Sequence, residues 1–276
     1  MTLRAQWLGR ELRRLREANG LRLKEVGEYL QRDGATVGRF EVGLYPARTQ
    51  DVRALLDLYG VDDERRRATL IKIAGEVWQT DWWDSYSDDL DKRVIDYAWV
   101  ESRARRISSY DALVVPGLLQ TVGYMEALIQ DEERSGSAST SGAEFRLRRQ
   151  EILLGPEPPH IEALIDEGLL QRAPGGRAVL REQLEHLVKL AHRPTIDLRV
   201  LPFSATGSAS LYGSFRIFEM SEPYPDVGYV ETPVGGLYVE TDGVERLKMK
   251  FNRIRRGSCD SAESIELIEA ALSRLG

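Results

Sequence analysis

The first 45 or so residues carry the apolar spacing of three short helices joined by tight turns. Apolar side chains recur at helical intervals over residues 4–19, 23–30 and 34–41. Gly27 leaves room for another helix to cross closely, and Asp33 is placed to cap the third helix. Because helices this short are marginal on their own in water, they must pack on one another. The N-terminal segment therefore predicts a small all-α domain.

The pattern changes toward the C-terminus, where alternating apolar residues replace the helical period. Two further helices, over residues 51–59 and 64–77, are predicted to complete the N-terminal segment and to connect it to the rest. In the remainder of the chain, helices are predicted over residues 92–108, 243–255 and 262–275, and a strand over 160–165. Four further short runs, 196–200, 215–218, 227–231 and 237–240, predict a small antiparallel sheet. Ser and Gly dominate residues 134–142, which are predicted to form a flexible loop. This half is therefore expected to be a mixed α+β domain.

The length and charge distribution favour two domains with different surfaces. A chain of 276 residues exceeds the usual size of one all-helical domain, and we place the boundary between residues 1–75 and 76–276. Residues 1–72 hold 15 basic and 11 acidic residues, a net charge of +4, whereas the remainder holds 23 and 33, a net charge of −10. Only the N-terminal domain has a positive net charge, which suits a phosphate-binding surface.

Several locations and site classes are disfavoured by composition. The longest apolar runs are far shorter than the roughly 20 residues needed to cross a bilayer, and no apolar signal-peptide core follows Met1. Cys259 is the only cysteine, so neither an internal disulfide nor a cysteine-rich zinc site can form. We therefore expect a cytoplasmic, nucleoid-associated protein that binds no membrane.

The segment from Leu21 to Glu41 resembles the helix-turn-helix of the xenobiotic-response-element and phage-repressor family. It has two short helices, a small residue at their crossing, a turn, and a Thr-Val-x-Arg-hydrophobic-Glu-x-Gly ending that runs from Thr36 to Gly43. The resemblance implies that the second helix of the pair enters the major groove of double-stranded DNA. It also implies that Arg16 and Glu41 pair inside the domain as a structural contact.

Eight residues are predicted to meet DNA. Arg39 is the best candidate for reading bases, since a guanidinium can bond both O6 and N7 of guanine. Thr36 is expected to contact a phosphate or a thymine methyl group, and Gly34 and Ala35 lie on the same face. The resemblance places four basic residues at positions that meet the sugar-phosphate backbone: Arg22, Lys24, Arg32 and Arg48.

The reading face departs from the family pattern at three positions. Leu23 stands where a backbone-contacting Gln is usual, and Gly34 and Ala35 stand where longer polar readers are usual. Few side chains are therefore expected to read bases directly, and DNA shape or dimer spacing is expected to add specificity. A fold that serves only in protein contacts remains an alternative.

From Trp82 onward the chain resembles the C-terminal domain of WhiJ-like, Scr-type antitoxin-like actinobacterial regulators. The motifs that carry the likeness are Trp82-Trp83, the Val115-to-Thr121 run, Arg148-Arg-Gln150, Leu201-Pro-Phe203 and Tyr229-Val-Glu231. The resemblance implies a repressor or antitoxin-like regulator, often encoded beside a small partner protein that its C-terminal domain would bind. A small-molecule signal is the other ligand expected for this domain. We expect a homodimer, because short recognition helices gain affinity by binding two half-sites. The alternative is an antitoxin-like module whose main role is to hold that partner.

No catalytic constellation, metal site or cofactor motif is recognisable, so an enzyme is not expected. His186 and His192 are six residues apart instead of the four that place a metal pair on one helix face. Asp166-Glu167 is more readily explained as a helix cap than as paired catalytic carboxylates. Five aromatic residues are expected either to line a ligand pocket or to pack in a core: Trp82, Trp83, Tyr97, Trp99 and Tyr124.

Overall fold

The computed structural model describes residues 2–134, 141–205, 212–232 and 235–275. The chain forms two compact units, Met1–Tyr97 and Ala98–Gly276. The first unit reaches beyond residue 75, where the boundary was expected, because later residues pack back on its helices. The backbone N–H of Leu3 donates to Asp96, for example. Most of the predicted flexible loop, residues 135–140, lies outside the described residues.

The first unit is all α-helical. Its elements are α1 (Leu3–Ala18), α2 (Leu23–Tyr29), α3 (Gly34–Glu41), α4 (Thr49–Leu58), α5 (Glu64–Glu76), a 3₁₀ helix (Trp82–Tyr86) and the first half of α6 (Lys92–Arg103). Side-chain caps fix the first residues of several helices. Thr2 accepts from the backbone of Ala5, and Asp63 accepts from Arg65 and Arg66. The helical N-terminal domain is thus confirmed.

Close approach of α1 and α3 depends on glycine. A Cβ on Gly9 would lie 2.5 Å from the carbonyl oxygen of Glu41, a distance that only a glycine avoids. Gly43 follows α3 with a φ of +72°, and a Cβ there would lie 2.7 Å from the backbone nitrogen of Gln6. The apolar face of α3 is buried in the core through Val37 and Phe40. These contacts fix α3 on the rest of the unit.

The second unit is built on one mixed sheet. Its helices are the second half of α6, α7 (Val122–Arg134), α8 (Ser141–Gln150), α9 (Arg177–Ala191), α10 (Asp242–Gly257) and α11 (Ser261–Arg274). Its strands are β1 (Ala104–Asp111), β2 (His160–Asp166), β3 (Ile196–Leu201), β4 (Phe215–Met220), β5 (Val227–Thr232) and β6 (Gly235–Val239). The six strands lie in the order β3-β2-β1-β4-β5-β6.

The expectation of a small antiparallel sheet is wrong, because β1, β2 and β3 are parallel. The helices between these strands are crossover connections, which parallel pairing requires. On the other side of β1, the pairs β1–β4, β4–β5 and β5–β6 are antiparallel. The sequence contains a strand, a helix and a second strand in succession over β2, α9 and β3. That order is typical of two parallel strands joined by a crossover helix.

The helix predicted over residues 92–108 is also too long, since α6 ends at Arg103 and β1 begins at Ala104. β1 lies between β2 and β4, and its last five residues, from Ile107 to Asp111, are all buried. Three of these five buried residues, Ser108, Ser109 and Asp111, are polar, so β1 shows neither the alternation nor the apolar run by which a strand is usually recognised.

Asp96 makes the stability of the first unit depend on pH. Burial raises its pKa to about 6, although the backbone N–H of Leu3 donates to its carboxylate at 3.0 Å. Because the folded-state pKa lies above the ordinary value of 3.8, the stability linked to Asp96 is fully present below that value. It is lost as the pH rises through the folded pKa.

Asp96→Asn keeps an acceptor for Leu3 and removes the buried charge. We expect the free energy of unfolding to rise by about 1–3 kcal/mol near neutral pH and its slope between about pH 4 and 6 to flatten. Urea unfolding at several pH values measures both. Asp91→Asn is the control, since Arg93 lowers the pKa of that exposed carboxyl to about 2 and its removal gives no gain near neutral pH. A slope unchanged in Asp96→Asn contradicts the assignment.

Candidate nucleic-acid interface

The turn between α2 and α3 is a tight, glycine-dependent crossing. The backbone N–H of Arg32 donates to the carbonyl of Gly27 at 2.8 Å, and Gln31 has a φ of +55°. A Cβ on Gly27 would lie 2.8 Å from the carbonyl oxygen of Arg32 and 2.9 Å from the nitrogen of Gly34. Gly27 therefore permits the close packing of a helix-turn-helix, as its position in the sequence predicts.

The expected pair between Arg16 and Glu41 is confirmed. The Nε and Nη2 atoms of Arg16 donate to the two carboxylate oxygens of Glu41 at 2.6 and 2.9 Å, and Nη1 donates to the carbonyl of Leu21 at 2.8 Å. The side chains are 12% and 5% exposed. Hydrogen bonding to Glu41 raises the pKa of Arg16. This buried two-bond pair ties α1 to the end of α3 and to the start of α2.

The outer face of α3 is short and carries few long side chains. Ala35 and Arg39 are exposed on it, whereas Val37 and Phe40 point inward. Within the described part of the chain, Arg39 makes no side-chain hydrogen bond or salt bridge. Gly34 is turned partly toward α2, since a Cβ there would lie 3.2 Å from the backbone of Leu23. Arg39 is thus the one long polar side chain on this face.

Thr36 takes part in the cap of α3. Its backbone N–H donates to Asp33 at 2.6 Å, and its hydroxyl donates to the same carboxylate at 3.1 Å. These hydrogen bonds lower the pKa of Asp33. The carboxylate holds the N-terminus of α3, where a phosphate could otherwise accept from free N–H groups. A phosphate contact by Thr36 therefore requires its hydroxyl to turn away from Asp33.

The four predicted backbone-contacting residues have different surroundings. Arg22 is exposed before α2, and Lys24 in its first turn has an 87% exposed side chain with Glu28 at 3.9 Å. Arg32 is held by both carboxylate oxygens of Asp51 at 2.9 and 3.0 Å. The Arg32 side chain is 40% exposed and that of Asp51 is 12% exposed, so this partly buried pair competes with a phosphate for the guanidinium.

Arg48 has an aromatic partner that the sequence did not assign to it. Its guanidinium lies 5.3 Å from the ring centre of Trp78, which in turn meets Tyr45 edge to face at 6.0 Å. Tyr45 and Trp78 are each 45% exposed. The contact orients Arg48 at the start of α4.

The five aromatic residues considered for a pocket divide between the two units. Trp82, Trp83 and Tyr97 belong to the first, where Trp82 and Trp83 meet edge to face at 5.5 Å. Trp99 and Tyr124 belong to the second and are fully buried. Trp83, Tyr97, Trp99 and Tyr124 are thus buried side chains, whereas Trp82 is partly exposed.

Trp99 packs edge to face on Tyr224 at 4.8 Å, and the hydroxyl of Tyr124 accepts from the backbone of Val115 at 3.4 Å. Asp166 in the same unit caps a 3₁₀ helix by accepting from Gly168 at 2.9 Å, which confirms the cap interpretation of Asp166-Glu167. Among the described residues no group of three or more His, Cys, Asp or Glu side chains is placed to hold a metal ion.

Comparison with known families agrees with this geometry. Residues 7–69 match the helix-turn-helix domain, so the first unit places the chain among helix-turn-helix proteins and indicates a DNA-binding regulator. Residues 94–270 match the domain of unknown function DUF5753. That match covers more than half of the chain, which therefore belongs to the DUF5753 family.

Other comparisons add no relative. No curated protein and no solved structure matches the chain. The DUF5753 match assigns no activity to the second unit, and the resemblance to WhiJ-like, Scr-type regulators stays a prediction. No helix in the described ranges has the length and apolar character of a membrane span.

Proposed function

We propose that the chain is a sequence-specific transcriptional repressor that reads its operator with α3 in the major groove. The observation that carries the proposal is the position of Arg39. Its guanidinium is exposed on the outer face of a helix that Arg16 and Glu41 hold in place. An exposed arginine on a fixed helix, with no salt bridge to the described residues, has its guanidinium available for bidentate bonding to guanine.

Backbone contacts supply most of the affinity in this proposal. Lys24 and Arg22 extend from the start of α2, and Arg48 lies over Trp78. Arg32 contributes only after exchanging Asp51 for a phosphate. Such contacts position the protein without reading sequence. Because Ala35 and Gly38 offer no long polar group, DNA shape and the spacing of two half-sites are expected to add specificity.

The repressor is proposed to act as a homodimer in the cytoplasm, on the nucleoid. Two copies of α3 contact successive major grooves when half-sites lie about one helical turn apart. The acidic second unit is proposed to bind a small partner protein or a signal, and no catalytic role is assigned to it. An antitoxin-like role in which the chain mainly holds its partner is the competing outcome of the experiment below.

The experiment begins with selection of preferred duplexes from random DNA by the full chain. Affinity is then measured on the selected duplex and on an unrelated one at several salt concentrations. Arg39→Ala is expected to lose about 1–3 kcal/mol of preference for the selected duplex, roughly 5- to 150-fold. Its affinity for unrelated DNA should change far less. Equal losses on both duplexes, or no selected sequence, contradict the proposal.

Lys24→Ala is expected to weaken binding to both duplexes alike. Removing one phosphate contact should lower the slope of log affinity against log salt by about 1. Arg65→Ala is the control, because this exposed arginine lies on α5, outside α2 and α3. A salt slope that stays at the wild-type value in Lys24→Ala removes this residue from the interface.

A further inference from the structure

Two of the arginines expected to meet phosphates, Arg48 and Arg32, are held by different kinds of partner. The guanidinium carbon of Arg48 lies 5.3 Å from the centre of the Trp78 ring, and within the described ranges the side chain makes no hydrogen bond or salt bridge. The guanidinium of Arg32 lies 6.0 Å from the ring centre of Phe40, but its Nη2 also donates to both carboxylate oxygens of Asp51 at 2.9 and 3.0 Å.

An aromatic partner and a carboxylate partner have different consequences for DNA binding. A carboxylate neutralises a guanidinium and occupies its N–H groups. A ring packs against the plane of the guanidinium, so the positive charge and the N–H groups around its edge remain for a phosphate. A phosphate therefore reaches Arg48 without displacing a carboxylate, whereas at Arg32 it must displace Asp51.

The Trp78 ring under Arg48 has a set position although the residue is 45% exposed. Its Nε1 donates to the carbonyl of Ala47 at 3.4 Å, and its backbone N–H donates to the carbonyl of Gly75 at 3.2 Å, at the end of α5. Ala47 is 1% exposed and directly precedes Arg48. Trp78 thus contacts both the side chain of Arg48 and the backbone just before it.

A row of three rings connects Trp78 to the reading helix. Phe40 on α3 is 2% exposed and stacks on Tyr45 with ring centres 6.0 Å apart, and Tyr45 meets Trp78 edge to face at 6.0 Å. The backbone N–H of Tyr45 also donates to the carbonyl of Arg39 at 3.3 Å. These contacts fix the position of Arg48 relative to α3 and Arg39.

Trp78 comes from outside the segment that matches the helix-turn-helix domain. That match ends at residue 69, and Trp78 follows α5, thirty residues after Arg48. The two residues meet only when α5 packs against the first four helices. The orientation of Arg48 therefore depends on a residue that the helix-turn-helix pattern does not include.

We propose that Trp78 is a positioning residue of the DNA interface, which holds the Arg48 guanidinium ready for one phosphate beside the groove that α3 enters. This rests on the proposed function and adds to it a residue beyond the helix-turn-helix match. Because the row of rings begins at Phe40, the phosphate contact of Arg48 is kept in register with the base contact of Arg39. A phosphate contact of this kind fixes the place of the protein on the duplex without reading sequence.

The test measures binding of the full chain to the selected duplex and to an unrelated one. Trp78→Leu keeps an apolar side chain and removes the ring. Affinity for both duplexes is expected to fall about 3- to 10-fold, because Arg48 must then be ordered when DNA binds. The slope of log affinity against log salt should stay at the wild-type value, since the charge of Arg48 is still present.

A double-mutant cycle separates positioning from a structural role. Arg48→Ala should weaken binding to both duplexes and lower the salt slope by about 1. Adding Trp78→Leu to Arg48→Ala should cost less than about twofold more, because the side chain that the ring positions is gone. A ring needed only for folding, or one that contacts DNA itself, would weaken binding as much in Arg48→Ala as in the wild-type chain.

Two further variants serve as controls. Trp78→Phe keeps a ring beside Arg48 and should bind within about threefold of the wild-type chain, since a phenyl ring is the weaker cation partner. Tyr29→Leu removes a ring that is 51% exposed at the end of α2, and no arginine lies over that ring in the described ranges. It should bind like the wild-type chain. Urea unfolding of each variant checks that the first unit is folded.

The outcomes separate this inference from the proposed function. Wild-type affinity in Trp78→Leu, or an equal loss with and without Arg48, overturns the positioning role while selective DNA binding can still be present. If no preferred sequence is selected, the proposed repressor falls, and the coupling between Trp78 and Arg48 is decided on the unrelated duplex. A chain that binds no duplex at low salt overturns both.

Discussion

Glu41→Ala is expected to lower the free energy of unfolding of the first unit by about 3–5 kcal/mol. The substitution leaves the Arg16 guanidinium, which is 12% exposed, without the carboxylate that now accepts two of its hydrogen bonds. Arg16 keeps the carbonyl of Leu21 and the half-exposed carboxylate of Glu17 at 3.4 Å, but it loses its buried carboxylate partner, and breaking a buried pair costs several times more than losing a surface pair. Loss of the Arg16–Glu41 pair also frees the end of α3 from α1, so DNA binding should weaken as well.

Urea unfolding followed by circular dichroism measures the loss, and hydrogen exchange assigns it to α1 and α3. Arg13→Ala is the control, because its pair with Glu17 is 58% and 51% exposed and should change stability by less than about 1 kcal/mol. The double variant Arg16→Met with Glu41→Leu should recover most of the stability, since no charge is left buried. A single variant as stable as Arg13→Ala would show that the pair does not hold α3.

Gly9→Val is expected to destabilise the first unit by about 3 kcal/mol or more. A Cβ on Gly9 would lie 2.5 Å from the carbonyl oxygen of Glu41, and backbone atoms cannot move aside as a flexible side chain can. α1 and α3 must therefore separate to admit the side chain. The displaced α3 should also bind the selected DNA more weakly.

Gly75→Ala is the matched comparison for Gly9. Gly75 also lies in a helix, but no atom is within 4 Å of a Cβ built there. Alanine should therefore raise stability by about 0.5–1 kcal/mol, because glycine is the poorer helix former. Thermal unfolding of the two variants should move in opposite directions. A Gly9→Val variant with the wild-type transition temperature would contradict the close crossing of α1 and α3.

The helix-turn-helix was largely predictable because its determinants are close in sequence. Asp33 caps α3, Gly27 permits the turn, and the spacing of Val37 and Phe40 sets the buried face. Each of these acts over a few residues. The pairing of Arg16 with Glu41 is less local, and it was predicted from the family resemblance.

The sheet was less predictable, since strand pairing depends on residues far apart. β1 pairs with β2 more than fifty residues later and with β4 more than a hundred residues later. No local feature at Ala104 signals the change from helix to strand, because the buried residues of β1 include Ser108, Ser109 and Asp111 and so form no apolar run. The partners of Arg32 and Arg48 were likewise hidden, since Asp51 and Trp78 meet them only after folding.

The central claim is that the outer face of α3 enters the major groove and that Arg39 reads a guanine there. Methylation interference on the selected duplex tests it, because methylation at guanine N7 removes the acceptor that faces the major groove. The account predicts that methylated guanines at symmetric positions block the wild-type chain and are tolerated by Arg39→Ala. Binding of the wild-type chain that is indifferent to N7 methylation, or an unchanged pattern in Arg39→Ala, would contradict it.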